Sequence, residues 1–135
     1  MSKHETPMVR RYWRKIGGTL IEEFQVVART PKNARRLIDG VIILGGPRKR
    51  MSWRDVTVKG KDVLVIQAKA SRLGMYLLGQ AIGSAKLMKR LKPKSIRSVI
   101  LCSRNDEEIR GILKRYRFIS VEVMKVRSHV ALGFS

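Results

Sequence analysis

A glutamine and a lysine follow one strongly apolar stretch of the sequence. Four apolar residues, 63–66, run directly into Gln67 and Lys69, with one alanine between the two polar residues. If the stretch is a strand, Gln67 and Lys69 point to the same side, because alternate residues share a face. A lysine at the end of a buried strand loses solvation unless it meets an anion or a carboxylate. The alternative is that the strand has reached the surface and Lys69 is solvated.

A carboxylate interrupts a second apolar run. Asp39 lies between Ile38 and Gly40, where a lone buried charge is costly. The glycine after it permits a bulge or the close approach of another chain or ligand. The alternative interpretation is that Asp39 caps a turn or pairs with Arg35 or Arg36.

Two glutamates raise the same question within the strand-like run 19–28. Strict alternation places Glu22 on one face with Phe24, and Glu23 on the other face with Ile21. The face that carries Glu22 is the more apolar of the two, so we expect it to lie deeper in the core. Alternation does not decide which of the two glutamates reaches a site.

These acids are scarce, because the chain has 30 Lys and Arg residues against ten Asp and Glu, a net charge of +20. Carboxylate and amide oxygens are hard ligands suited to Mg²⁺ or Mn²⁺. Such an ion would offset the burial of the acids, polarise a phosphodiester and lower the pKa of an attacking water. The sequence therefore predicts a metal site formed by Asp39, Gln67 and a glutamate, Glu22 or Glu23. Lys69 would orient the water or stabilise charge on the phosphate.

The large positive charge predicts a polyanionic partner. Seven basic residues lie beside the predicted site along the chain and are the candidates for binding nucleic acid: Arg35, Arg36, Arg48, Lys49, Arg50, Arg54 and Arg72. Another basic cluster, within 86–94, is explained equally well as a solvated helix face. Aromatic residues make up only 6% of the chain, which argues against base-stacking platforms for single strands; Trp53 is the one candidate for an exposed aromatic.

Other classes of site are disfavoured. The single cysteine, Cys102, and two distant histidines exclude a disulfide framework and a zinc module. Cys102 follows an apolar run, which is typical of a buried structural thiol. The glycines of 45–46 do not form a nucleotide-binding loop. Since the chain shows neither a signal peptide nor an apolar run of membrane-spanning length, we expect a soluble, cytoplasmic protein.

The periodicity predicts a single α/β domain over 1–135 with a mixed central sheet flanked by helices. The predicted order is α-β-β-β-α-β-α-β, with a basic tail from about 125. Three glycines in the longest helix, Gly74, Gly79 and Gly83, predict close packing of that helix on the sheet. The predicted helices cover 7–17, 72–91 and 106–116, and the predicted strands cover 19–28, 35–44, 62–70, 95–102 and 118–124.

Over about 10–124 the chain resembles the PD-(D/E)XK, or restriction-endonuclease-like, nuclease superfamily. The resemblance lies in LIDGVII, which contains Asp39, and in VIQAK, which contains Gln67 and Lys69. Two phrases, GGTLIEEF and KASRLGMYLLGQ, are also similar to small uncharacterised bacterial proteins of this type. Gln80, on the inward face of the following helix, is similar to the helix glutamine of the RecB-like branch. The resemblance implies a metal-dependent nuclease that hydrolyses DNA, with Mg²⁺ or Mn²⁺ as cofactor.

Two departures from the family pattern keep a second function open. Gln67 replaces the usual acidic ligand, and Ser84 stands where the RecB-like branch has a tyrosine, whereas Tyr76 comes four residues before Gln80. The alternative is a non-catalytic nucleic-acid-binding module of the same fold; a basic subunit that docks on RNA is a weaker option. We expect DNA rather than RNA as the partner, and a homodimer is compatible with cutting both strands.

Overall fold

The computed structural model describes residues 4–125, which form a five-stranded mixed sheet flanked by three helices. The helices are α1 (Glu5–Ile16), α2 (Met75–Lys89) and α3 (Glu107–Leu113), and the strands are β1 (Thr19–Val27), β2 (Arg36–Ile43), β3 (Asp62–Arg72), β4 (Ser95–Arg104) and β5 (Ile119–Val123). The predicted α/β class and order of elements are confirmed. The basic tail predicted from about 125 lies outside the described residues, apart from its first residue.

The strands lie side by side in chain order, from β1 to β5. The pairs β1–β2 and β2–β3 are antiparallel, whereas β3–β4 and β4–β5 are parallel. Parallel neighbours need a crossover connection, and α2 and α3 provide the two crossovers. None of the helices within 4–125 is both long enough and apolar enough to cross a membrane.

The two faces of the sheet carry separate cores. On one face, Met8, Val9 and Tyr12 of α1 pack against apolar residues of β1 to β4. These α1 residues recur at the spacing of one helical face. On the other face, α2 packs over β3 and β4, with α3 beside it. The indole N–H of Trp13 donates to the carbonyl oxygen of Gly18 at 2.7 Å, which fixes the end of α1 against the start of β1.

The simple alternation predicted for β1 is wrong beyond Glu22. Ile21 and Phe24 are three residues apart, yet both belong to the core cluster beneath α2. The reason is Glu23, whose φ of 49° lies in the left-handed region and breaks the pleat. Glu22 therefore does not share a face with Phe24, and it lies on the α1 side, where Arg10 binds it.

The close helix–sheet packing predicted for the α2 glycines is also wrong. A Cβ atom added at Gly79 or Gly83 would meet no atom within 4 Å, and at Gly74 the nearest atom is 3.9 Å away. The buried side chains Ala81 and Ala85 of α2 face the sheet instead. The close approach occurs at Gly40, where an added Cβ would lie 3.0 Å from Cγ1 of Val9.

These two kinds of glycine predict opposite effects of alanine. We expect Gly79→Ala to raise the free energy of unfolding by about 1 kcal/mol, because alanine is the better helix former and has room there. We expect Gly40→Ala to lower it by about 1–3 kcal/mol, because the methyl group crowds α1. Urea denaturation of both variants measures the difference. A loss of stability in Gly79→Ala would contradict the open environment described for α2.

Candidate functional site

The candidate site begins where β2 and β3 separate. Their paired positions end at Gly40 and Ile66, and beyond this point the main-chain N–H of Ala68 donates to Oδ2 of Asp39 at 2.9 Å. A side-chain carboxylate thus takes the place that a β2 carbonyl would occupy in a continued ladder. The alternation of side chains also breaks in β2, at Asp39. Ile38 and Val41 are three residues apart, yet both lie in the same core cluster.

A second carboxylate lies on the same edge of β3. The main-chain N–H of Ala70 donates to Oε2 of Glu5, the first residue of α1, at 3.0 Å. The amides of Ala68 and Ala70 point to the same side of the strand and are roughly 7 Å apart, because a strand rises about 3.3 Å per residue. Carboxylates from β2 and α1 therefore line one strand edge.

Glu5 is not among the site residues predicted from the sequence, because the predicted first helix starts at 7. A signal was present in the sequence. Proline is tolerated in the first turn of a helix and an acidic residue is favoured there, so the helix could have been started at Glu5, where the structure starts it. Its contact with Ala70 spans 65 residues of sequence and has no local signature.

The surroundings of Asp39 disfavour its negative charge. Burial raises the pKa of Asp39, the hydrogen bond from Ala68 opposes that rise, and the charges of Glu5 and Glu23 add to it. Glu23 itself is exposed. A cation at this position would favour the ionised form of Asp39.

Glu22 has a different environment. Nε and Nη2 of Arg10 donate to its two carboxylate oxygens at 2.8 and 3.1 Å, and Nη1 of Arg50 donates at 3.3 Å. Burial would raise the pKa of Glu22, but these two arginines outweigh it and hold the pKa below its usual range. Glu22 thus joins α1 and the β2–β3 connection to β1. Of the two predicted glutamates, Glu23 is the one whose charge acts on Asp39.

Gln67 and Lys69 differ in exposure. Gln67 is 4% exposed, and its Nε2 donates to Oγ of Ser84 in α2 at 2.5 Å. In the register that ends at Gly40 and Ile66, Gln67 is the β3 residue that falls opposite Asp39. Lys69 is exposed, so the strand does reach the surface there. Its Nζ lies 4.7 Å from the ring centroid of Tyr76, a cation–π contact.

Asp39, Glu5 and Gln67 carry oxygen atoms of the kind that hard cations prefer. The carboxylates of Asp39 and Glu5 each accept from a main-chain N–H of β3, and the amide nitrogen of Gln67 donates to Ser84. Mg²⁺ commonly binds through one or two carboxylates and retains several waters. Within 4–125, no group of three or more His, Cys, Asp or Glu side chains is arranged to hold a metal ion.

A groove of about 390 Å³ is lined by Glu22 and Glu23 together with three arginines, and we call it the basic groove. Three of the seven basic candidates line it, Arg35, Arg50 and Arg54. The guanidinium of Arg54 stacks 4.8 Å from the ring centroid of Trp53, and Nε of Arg35 donates to Oε1 of Gln25 at 2.9 Å. Arginines presented beside a groove are typical of phosphate contacts.

The other four basic candidates do not line this groove. Nη2 of Arg48 donates to the carbonyl of Arg14 at 2.7 Å, and Nη1 of Arg72 donates to the carbonyl of Asn105 at 2.8 Å. Lys49 is exposed. Arg36 and Gln80 line a separate cavity between β2 and α2.

Cys102 is fully buried, as predicted. Burial raises the pKa of its thiol, which suits packing rather than nucleophilic chemistry.

No family model, no curated protein and no solved structure matches this chain. The chemistry of the site therefore rests on the side chains described above.

The raised pKa of Asp39 predicts the effect of Asp39→Asn on stability. Asparagine keeps an oxygen that accepts from Ala68 but has no charge. Below the unfolded pKa of about 3.9, both proteins are neutral at this position and we expect equal stability. As the pH rises through the folded pKa, wild-type stability is lost, so the variant becomes the more stable at pH 7. Urea denaturation at both pH values measures this effect, with the exposed Asp55→Asn as the control. A variant less stable than wild type at pH 7 would contradict the interpretation.

Proposed function

We propose that this chain is a metal-dependent nuclease of the PD-(D/E)XK type that hydrolyses phosphodiester bonds of DNA. The observation that carries the proposal is the placement of two carboxylates, Asp39 and Glu5, on the edge of β3 where β2 leaves it. Gln67 and Lys69 flank Ala68, the residue that binds Asp39. The antiparallel β2–β3 pair that continues into the parallel β3–β4 pair is consistent with a restriction-endonuclease-like core.

In this proposal Asp39, Oε1 of Gln67 and a glutamate, Glu5 or Glu23, would hold Mg²⁺ or Mn²⁺. A bound ion of this kind polarises a phosphodiester and lowers the pKa of water. Asp39 is half-buried, and the main-chain N–H of Ala68 orients its carboxylate. The net charge of +20 and the basic groove beside the acids would attract the DNA backbone.

In this proposal Lys69 would give up its cation–π contact with Tyr76 and bind the phosphate. Its side chain is exposed, and a cation–π contact at an exposed site is worth only about 0.5–1 kcal/mol. The contact is therefore easily exchanged for a phosphate oxygen. An ammonium group placed there would stabilise negative charge that develops on the phosphate.

A nucleic-acid-binding module without nuclease activity is the second candidate, and one observation favours it. Gln67 is neutral, buried and bound to Ser84, so it contributes no charge toward a metal ion. In that case the basic groove would bind nucleic acid while Asp39 and Glu5 would only complete the edge of β3.

Cleavage assays test the nuclease proposal. We expect plasmid, linear or branched DNA to be cut with Mg²⁺ or Mn²⁺, and Lys69→Ala and Asp39→Ala each to lower the rate about 100-fold or more. Lys114→Ala, which removes an exposed lysine beyond α3, is the matched control and should leave the rate unchanged. Calorimetric titration should show Mn²⁺ binding to wild type and its loss in Asp39→Ala.

Two results would contradict this proposal. Cleavage that survives both Asp39→Ala and Lys69→Ala would place the activity elsewhere or assign it to a contaminant. DNA binding without cleavage under either metal would leave the non-catalytic module as the function.

The salt dependence of binding tests the basic groove under either function. The logarithm of the binding constant should fall linearly with the logarithm of salt concentration, with a slope of about −0.9 per phosphate neutralised. Arg54→Ala should reduce this slope by about one, and Lys114→Ala should not change it. Fluorescence anisotropy with labelled duplex measures both slopes. An unchanged slope for Arg54→Ala would show that the groove does not follow the backbone.

A further inference from the structure

A second cavity, of about 430 Å³, lies at the far end of α2 from Asp39. It is formed by the last turns of α2, the start of β4 and the connection between α3 and β5. Ser95, one of its lining residues, pairs in register with Asp62, whereas Lys69 pairs with Cys102. The seven positions from Asp62 to Lys69 correspond to roughly 23 Å along the sheet. This cavity is therefore separate from the candidate nuclease site.

The floor of the cavity is apolar and partly aromatic. It is formed by Ile82, Ile96, Tyr116 and Phe118, which are partly buried and pack against the cores beneath α2. The rings of Tyr116 and Phe118 meet edge to face, with centroids 6.2 Å apart and an interplanar angle of 88°. This contact holds the two rings in fixed orientations at the cavity wall.

The rim of the cavity carries three lysines. Lys86 and Lys89 come from α2 and Lys94 comes from the loop that follows it, and all three line the cavity and are exposed. The hydroxyl of Ser95, also on the wall, donates to the carboxylate of Asp62 at 2.5 Å. Three lysines of the basic cluster within 86–94 therefore border an apolar opening.

We infer that this cavity binds an unpaired nucleotide of a nucleic-acid strand. The base would lie on the apolar floor, and the lysines would contact the adjoining phosphates as point charges. The volume falls in the range of small-ligand pockets. Aromatic residues are few in the chain as a whole, but two of them meet at this cavity, and aromatic side chains are typical platforms for unstacked bases. A nucleotide places a planar ring next to an anionic phosphate, which matches the apolar floor and the lysines of the rim. The inference rests on the nucleic-acid binding proposed above but not on cleavage.

Titration of the full chain with thymidine tetranucleotide, followed by NMR of the isoleucine methyl groups, tests this inference. A tetranucleotide with abasic sugars and the same phosphates is the control ligand. We expect the thymidine ligand to shift the methyl resonances of Ile82 and Ile96 and to bind about tenfold more tightly than the abasic ligand. Equal affinities without methyl shifts would overturn the inference.

Two variants with the same change in charge test whether the rim lysines contact the ligand or whether the net positive charge alone attracts it. Lys89→Ala should weaken thymidine tetranucleotide binding about threefold, while Lys114→Ala, with the same change in charge, should not. Both are exposed positions, so neither variant threatens folding. Equal effects of the two variants would overturn a specific role for the rim.

The possible failures are distinguishable from one another. If duplex DNA binds but the thymidine ligand leaves the methyl groups unchanged, the cavity inference falls and the proposed function stands. If the chain binds no nucleic acid, both fall. If an acidic peptide that contains phenylalanine shifts the same methyl groups at lower concentration than the thymidine ligand, the cavity serves a protein partner and the inference is wrong.

Discussion

The hydrogen bond from the Ala68 amide to the Asp39 carboxylate determines the arrangement of the candidate site. It occurs where the β2–β3 ladder ends, so a side chain rather than a main-chain carbonyl satisfies the exposed strand edge. Glu5 repeats the arrangement two residues further along β3. Beyond Ile66 the edge of β3 is thus not paired with β2, and two carboxylates bind its main-chain amides instead.

The acids of this basic chain serve two separate purposes. Glu22 is bound by Arg10 and Arg50, and its pKa is lowered, so its charge stabilises the attachment of α1 to β1. Asp39 is half-buried near other carboxylates, and its pKa is raised. A carboxylate kept in an environment that disfavours its charge is typical of functional sites. The electrostatic contrast between the two acids is what distinguishes the site from the supporting ion pairs.

Helix α2 relates the two regions that we propose to contact nucleic acid. Tyr76, in its first turn, contacts Lys69, whereas Lys86 and Lys89, in its last turns, border the second cavity. A 15-residue helix is roughly 22 Å long at 1.5 Å per residue. A strand bound along this side of the protein would therefore meet both ends of α2.

The sequence by itself determined the order of helices and strands and the positions of Asp39, Gln67 and Lys69 on neighbouring strands, because apolar periodicity is a local property. Only the tertiary structure decided that Glu5 joins the site, that Glu22 is bound by arginines, and that Lys69 contacts Tyr76. It also corrected the faces of β1, because the left-handed conformation of Glu23 is not encoded in hydrophobic alternation. Contacts between residues 29 or 65 positions apart arise from the packing of the elements, which local periodicity does not specify.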